Sequence, residues 1–135
     1  MKGDRGTALV CKENKFLMIF RCKNNSEYYV LPGGHVEDGE TSEEATIREL
    51  FEETSIIAEV DKKIITFKDA NGRTHQIFLC KYISGTPKMS DNSVEVERAS
   101  EVNIYKPMWV DKYEIKSFSI WPEETKKYLI DYFNK

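Results

Sequence analysis

The sequence predicts a single α/β domain, a sandwich of two helices on a central mixed β-sheet. Three features carry that expectation. Short apolar runs alternate with turn residues along most of the chain, one helical pattern is inserted between them at about residues 42–54, and a second closes the chain. Residues 7–11 and 15–21 flank the polar turn Lys12-Glu13-Asn14 and read as a β-hairpin. Tyr28-Tyr29-Val30-Leu31 is a further strand, stopped by Pro32-Gly33-Gly34. After the first helix, residues 56–60, 64–67 and 76–83 are expected strands, with the turn Asp69-Ala70-Asn71-Gly72 between the last two. Residues 85–101 are the longest stretch without periodicity, the kind of loop that is often functional. Residues 105–110 read as a strand that Pro107 assigns to a sheet edge. In the terminal helix Pro122 lies at or near the first turn, and Leu129, Ile130 and Phe133 are expected to face the core.

Composition narrows the class. The 135 residues are 40% hydrophobic and 32% charged, which suits one domain spanning residues 1–135. No run approaches the roughly 18 apolar residues of a membrane span, so no membrane partner is expected. Met1-Lys2-Gly3-Asp4-Arg5-Gly6 passes directly into a strand-like run without a secretory pattern. Cys11, Cys22 and Cys80 are odd in number and far apart, with no C-x-x-C pair. Reduced cysteines in a cytoplasmic protein are the expectation, with Cys11 and Cys80 as apolar strand residues. The net charge is −3 and the lysines are scattered. That argues against direct nucleic-acid binding, and against any polyanion partner unless a cation lies between.

The chemistry concentrates in residues 37–53, which hold eight carboxylates (Glu37, Asp38, Glu40, Glu43, Glu44, Glu49, Glu52, Glu53) and the cation Arg48. At about 100° per residue, Glu49, Glu52 and Glu53 share one helix face, opposite an expected buried stripe of Ile47, Leu50 and Phe51. Glu43 and Glu44 have an ordinary explanation: they favour the first turn, and Thr41-x-x-Glu44 matches a capping box. The later three do not. Like charges at these spacings repel, and they crowd the helix end where the macrodipole disfavours anions. A solvated acidic face is the plain reading, but a divalent cation would relieve the repulsion, and oxygen donors suit Mg²⁺ or Mn²⁺. Before the helix, Gly33 and Gly34 allow a sharp turn and close ligand approach, and Gly39 a second turn into the helix. No basic phosphate cradle is visible, so phosphates would be met through metal.

Gly34, Glu40 and Arg48-Glu49-Leu50-Phe51-Glu52-Glu53-Thr54-Ser55-Ile56 resemble the Nudix box, G-x5-E-x7-R-E-U-x-E-E-x-G-U, where U is aliphatic. Every fixed position of this segment, residues 34–56, matches except Ser55, which stands in place of glycine. The opening strands, Tyr29-Val30-Leu31-Pro32-Gly33-Gly34 and Pro107-Met108-Trp109-Val110 resemble the surrounding layout of the Nudix (MutT-like) hydrolases.

That resemblance implies the Nudix α/β/α sandwich with a catalytic loop-helix-loop. It implies Glu49, Glu52 and Glu53 as ligands of Mg²⁺ (or Mn²⁺), joined by the Gly34 carbonyl, and Glu40 as support of the metal site. Arg48 would orient a carboxylate, with Glu52 within its i+4 reach. Glu52 or Glu53 is the expected base. Glu101 is the preferred further base or ligand from the later loop, ahead of Glu97, with Glu95 in the same stretch. Gly33, Gly34 and His35 are placed at the substrate, whereas His75 is read as structural or exposed. Tyr28, Tyr29, Phe67, Tyr105 and Trp109 can stack on a base, but strand aromatics more often fill a core. The implied activity is metal-dependent hydrolysis of a diphosphate linkage in a small nucleotide-like substrate, a nucleoside triphosphate (including oxidised ones) or a nucleotide sugar. The alternative is a non-catalytic nucleotide-sensing or partner-binding module, and a homodimer is a common family assembly. Serine enters the left-handed conformation less readily than glycine, so Ser55 is expected to alter or strain the helix end.

Overall fold

The computed structural model describes residues 3–88 and 103–133. Its strands are β1 (Arg5–Lys12), β2 (Lys15–Lys23), β3 (Ser26–Val30), β4 (Gly33–His35), β5 (Ile57–Lys68), β6 (Thr74–Ser84) and β7 (Asn103–Asp111). Helix α1 (Ser42–Thr54) lies between β4 and β5, and α2 (Glu123–Phe133) follows a 3-10 turn at Lys112–Ser117. The sheet runs β3-β2-β1-β6-β5, with β4 added to β1 and β7 to β2. It is mixed, because β1 and β6 are parallel while the remaining pairs of named strands are antiparallel.

Alternation along the central strands builds two cores. Ala8 and Val10 of β1, Leu17 of β2, and Phe78 and Cys80 of β6 pack with Leu50 of α1. Leu9, Phe16, Met18 and Ile77 point the other way, towards Ile115, Ile120 and Leu129 of the C-terminal segment. Both faces are therefore covered, which is why these strands read as nearly unbroken apolar runs. Burial pushes the Cys11 thiol up to about 11 and the Cys80 thiol to about 12, in keeping with apolar strand positions.

Several expectations need correction. Gly33 and Gly34 form no turn: they belong to β4, and neither has a positive φ. The two strands expected at 56–60 and 64–67 are one long strand, β5, whose irregularities at Val60/Lys62 and Lys63/Ile65 absorb the polar residues Asp61, Lys62 and Lys63. Phe51 is 46% exposed, so the buried stripe of α1 is Ala45, Thr46, Leu50, Glu53 and Thr54. Pro107 lies opposite Ile19 on a strand that is at the sheet edge among the described residues.

One feature of the pairing creates the site. β1 and β2 pair only near their hairpin turn, at Cys11↔Phe16 and Lys12↔Lys15. Beyond that point β1 takes β4 as its partner and β2 takes β3. The two halves of the sheet splay, and a cleft of about 1000 Å³ opens where they part.

Candidate active site

Helix α1 is fixed at its start by its own sequence. The Thr41 hydroxyl accepts from the Glu44 N–H at 3.0 Å, and the Thr41 N–H donates to Glu44 Oε1 at 2.9 Å, completing the capping box. Gly39, at φ 82°, makes the turn that precedes it. At the other end Ser55 adopts the left-handed conformation, φ 66° and ψ 11°, and its N–H donates to the Phe51 carbonyl at 2.9 Å. The serine thus keeps the turn that glycine would make, and the Lys88 N–H meets the Thr54 carbonyl at 2.8 Å.

The acidic face then meets β4 across backbone that carries no Cβ. The Gly33 N–H donates to Glu53 Oε1 at 2.7 Å, and Glu53 is only 8% exposed. Any Cβ on Gly34 would occupy the place of the Glu49 carboxylate. Gly33 is equally confined, since its Cβ would meet the Gly6 carbonyl oxygen and Thr7. Glycine is needed here for close approach. Glu49, Glu53, Gly33, Gly34 and His35 line the cleft, whereas Glu52 does not and its side chain is 41% exposed.

Arg48 organises the outer side of this face. Its Nε and Nη2 grip both oxygens of Glu40, at 2.8 and 3.0 Å, and Nη1 reaches Glu49 at 2.8 Å and Glu52 at 3.4 Å. Nη2 also donates to the His35 carbonyl at 3.1 Å. The Arg48 hydrogen bond holds the Glu40 carboxyl well down, at about 2. So Arg48 ties Glu40, Glu49 and the β4 loop together, and its i+4 contact with Glu52 is the longest of its carboxylate hydrogen bonds. Among the described residues no three His, Cys, Asp or Glu side chains converge in a ready metal cluster. The donor set nevertheless fits a hard cation: oxygen donors on one helix face, and a glycine at position 34 where a Cβ would displace the Glu49 carboxylate. Glu95, Glu97 and Glu101 lie outside the described residues.

The other wall holds residues that sequence reasoning missed. Arg5, Arg21 and Arg73 all line the cleft, contrary to the expected lack of basic side chains there. Each is an isolated residue on or beside a strand, and only the pairing of distant strands brings them together. Arg5 is half-buried, and the loss of water around its guanidinium lowers its pKa, while nearby Glu53 opposes that effect. Arg21 stacks on Tyr105, and both Tyr28 and Tyr105 line the cleft, whereas Tyr29 and Phe67 pack into the core. His75, expected to be structural or exposed, is buried at the wall of the cleft: its Nε2 pairs with Asp69 Oδ2 at 2.8 Å, and its ring stacks on Phe67 at 4.9 Å.

Comparison with known proteins places this geometry. A sequence model of the NUDIX domain matches residues 2–128. An ADP-ribose pyrophosphatase of Methanocaldococcus jannaschii is 37% identical over 120 residues, covering 84% of this chain and 70% of the relative. A Bacillus subtilis protein provisionally named 8-oxo-dGTP diphosphatase is 31% identical over 85 residues, covering 63% of this chain and 56% of the relative. Among solved structures, a NUDIX hydrolase from Nitrosomonas europaea has a TM-score of 0.70 at 18% identity, covering 99% of this chain and 90% of its own. A NUDIX-family hydrolase from Clostridium perfringens has a TM-score of 0.71 at 15% identity, covering 97% and 95%. At these identities the structures speak for the α/β/α sandwich alone.

Proposed function

The chain belongs to the Nudix family of pyrophosphohydrolases, and on that premise we propose that it hydrolyses the diphosphate linkage of a nucleoside diphosphate derivative with Mg²⁺ or Mn²⁺. A nucleotide sugar of the ADP-ribose kind is the first candidate substrate, supported by the archaeal relative. A nucleoside triphosphate is the second, supported by the Bacillus relative. The observation that carries the reading is the meeting of Glu49 and Glu53 with the bare backbone of Gly33 and Gly34 inside the cleft.

Glu49, Glu52, Glu53 and the Gly34 carbonyl would hold the cation. When bound, it would supply positive charge against the diphosphate and make water at the site more acidic. The protein's remaining task is to take the proton from the attacking water. Glu53 already accepts the Gly33 N–H, and Glu49 is engaged by Arg48 at 2.8 Å. Glu52, with a 3.4 Å contact to Arg48, is the least constrained of the three by these bonds, and although it does not itself line the cleft, its place on α1 beside Glu49 and Glu53 makes it our first choice of base. Glu101, outside the described residues, is the second. All the box glutamates are present, which favours an enzyme over a sensing module.

The test is hydrolysis of a panel of nucleotide sugars and nucleoside triphosphates with either metal, with products identified. No turnover of any panel member would overturn the proposal. Glu52→Gln is expected to lower the rate by about 100-fold or more, the scale of a lost general base, with thermal unfolding unchanged. Undiminished turnover would remove Glu52 from the mechanism.

A further inference from the structure

We propose that Arg21, set between Tyr28 and Tyr105, reads the nucleobase end of the substrate through its Nε–H. The inference deepens the diphosphate reading and rests on it for the identity of the rest of the ligand.

Arg21 sits on the middle strand of three. Pairing places Tyr28 of β3 on one side of it and Tyr105 of β7 on the other. The guanidinium lies over the Tyr105 ring, 3.9 Å from its centroid, and 5.7 Å from that of Tyr28. Its Nη2 donates to the Tyr105 hydroxyl at 2.6 Å. Its Nε is buried and has no hydrogen-bond partner among the described residues. Buried guanidinium donors are normally satisfied, and one that is not carries a desolvation cost that an incoming acceptor would relieve. All three residues line the cleft that also holds Glu49, Glu53 and Gly34. A ligand whose diphosphate meets the α1 carboxylates therefore has its remainder in the same cavity as this donor.

The geometry favours a flat heterocycle over another phosphate. Phosphate recognition by arginine uses an open fork of parallel N–H groups. Here Nη2 is engaged by the Tyr105 hydroxyl and the guanidinium is stacked on that ring, which leaves the in-plane Nε–H as a buried donor without a partner among the described residues. Glu27, next to Tyr28 on β3, also lines the cleft and would repel a further anion. Tyrosine rings provide flat faces for a planar ring system. Every common nucleobase carries a ring carbonyl or ring nitrogen on its edge, which is the acceptor this donor requires.

The experiment measures binding without turnover. AMP, GMP and UMP are titrated by calorimetry in the absence of metal, with ribose 5-phosphate as the ligand that lacks a base. The wild-type chain is expected to bind at least one of the three nucleotides more tightly than ribose 5-phosphate, and equal affinity for all four ligands would overturn the proposal. Arg21→Lys keeps the charge and removes the planar donor. It should weaken the preferred nucleotide by about 10- to 100-fold, the range for a hydrogen bond from a charged group, while ribose 5-phosphate is unchanged. Equal losses for both ligands would assign Arg21 to the phosphate or to the fold, and no loss would remove it from the site. If Arg21→Lys fails to fold, Arg21→Met, which keeps the stem and removes every donor, takes its place, and an unchanged base preference in that variant overturns the proposal. A chain that prefers a base yet hydrolyses nothing refutes the enzymatic reading alone. Hydrolysis without base preference refutes this inference alone.

Discussion

Gly33 and Gly34 are neighbours in sequence, yet a side chain at each would meet a different kind of obstacle. At Gly33 it meets backbone, with Thr7 Cα only 2.8 Å away, whereas at Gly34 it meets the carboxylate end of Glu49. Backbone inside a paired sheet cannot yield, but a glutamate side chain can swing aside. Gly33→Ala is therefore expected to cost about 1–3 kcal/mol of stability, the scale of overpacking in a tight interior. Gly34→Ala should unfold within about 1 kcal/mol of the wild type, but lose most of its turnover because Glu49 is displaced. Urea unfolding and steady-state rates on both variants check the contrast; a Gly34→Ala enzyme at full rate would show that the placement of Glu49 is immaterial. Arg48 acts at the same scale, since its bidentate grip on Glu40 couples the loop before α1 to the middle of the helix.

At the scale of the element, α1 is well capped at one end and strained at the other. Its capping box and first-turn acids are favourable. Its last turn holds acids and no base, and ends on a serine in a left-handed conformation. Ser55→Gly removes the Cβ that disfavours φ 66° and should stabilise the protein by about 0.5–1 kcal/mol, after allowing for glycine's greater freedom in the unfolded chain. A denaturant midpoint that falls in this variant would show that the serine side chain makes a compensating contact. The same helix shows how a periodic pattern misleads. Phe51 falls on the apolar arc in projection, but the sheet faces Leu50 and Glu53, because the Gly33 N–H draws the glutamate inward.

At the scale of the whole molecule, the cleft exists because β1 and β2 part company, and its wall is braced by the buried Asp69–His75 pair on the β5–β6 hairpin. Burial holds the His75 pKa below its usual 6.5, although Asp69 pulls it upward, and the His75 hydrogen bond holds Asp69 below its usual 3.8. The sign follows for each group. The unfolded chain binds a proton at His75 more readily than the folded one, so that stabilising contribution is present above 6.5 and lost as pH falls below it. The Asp69 contribution is present above 3.8 and lost only in stronger acid. Unfolding free energy should therefore fall as pH drops below the ordinary histidine value of 6.5, and His75→Gln, which keeps an amide donor for Asp69, should flatten that slope. Urea titrations across this range decide it; an equal slope in the variant would assign the titration elsewhere.

Features that act over a few residues were legible in the chain alone: the first hairpin, the bounds and cap of α1, the spacing of Glu49, Glu52 and Glu53, and the edge position of Pro107. Helical periodicity, capping and turn preference are local, so one chain suffices to read them. Tertiary structure alone decided what faces what. The addition of Gly33–His35 to β1, the exposure of Phe51, the withdrawal of Glu53 beneath the glycine backbone, and the gathering of Arg5, Arg21 and Arg73 all depend on strands that pair across long stretches of chain. Such pairing is set by burial summed over the whole sheet, and no short segment carries its signature. The acidic half of the site was therefore legible in the sequence, while the basic and aromatic half emerged only when β2, β3 and β7 came together.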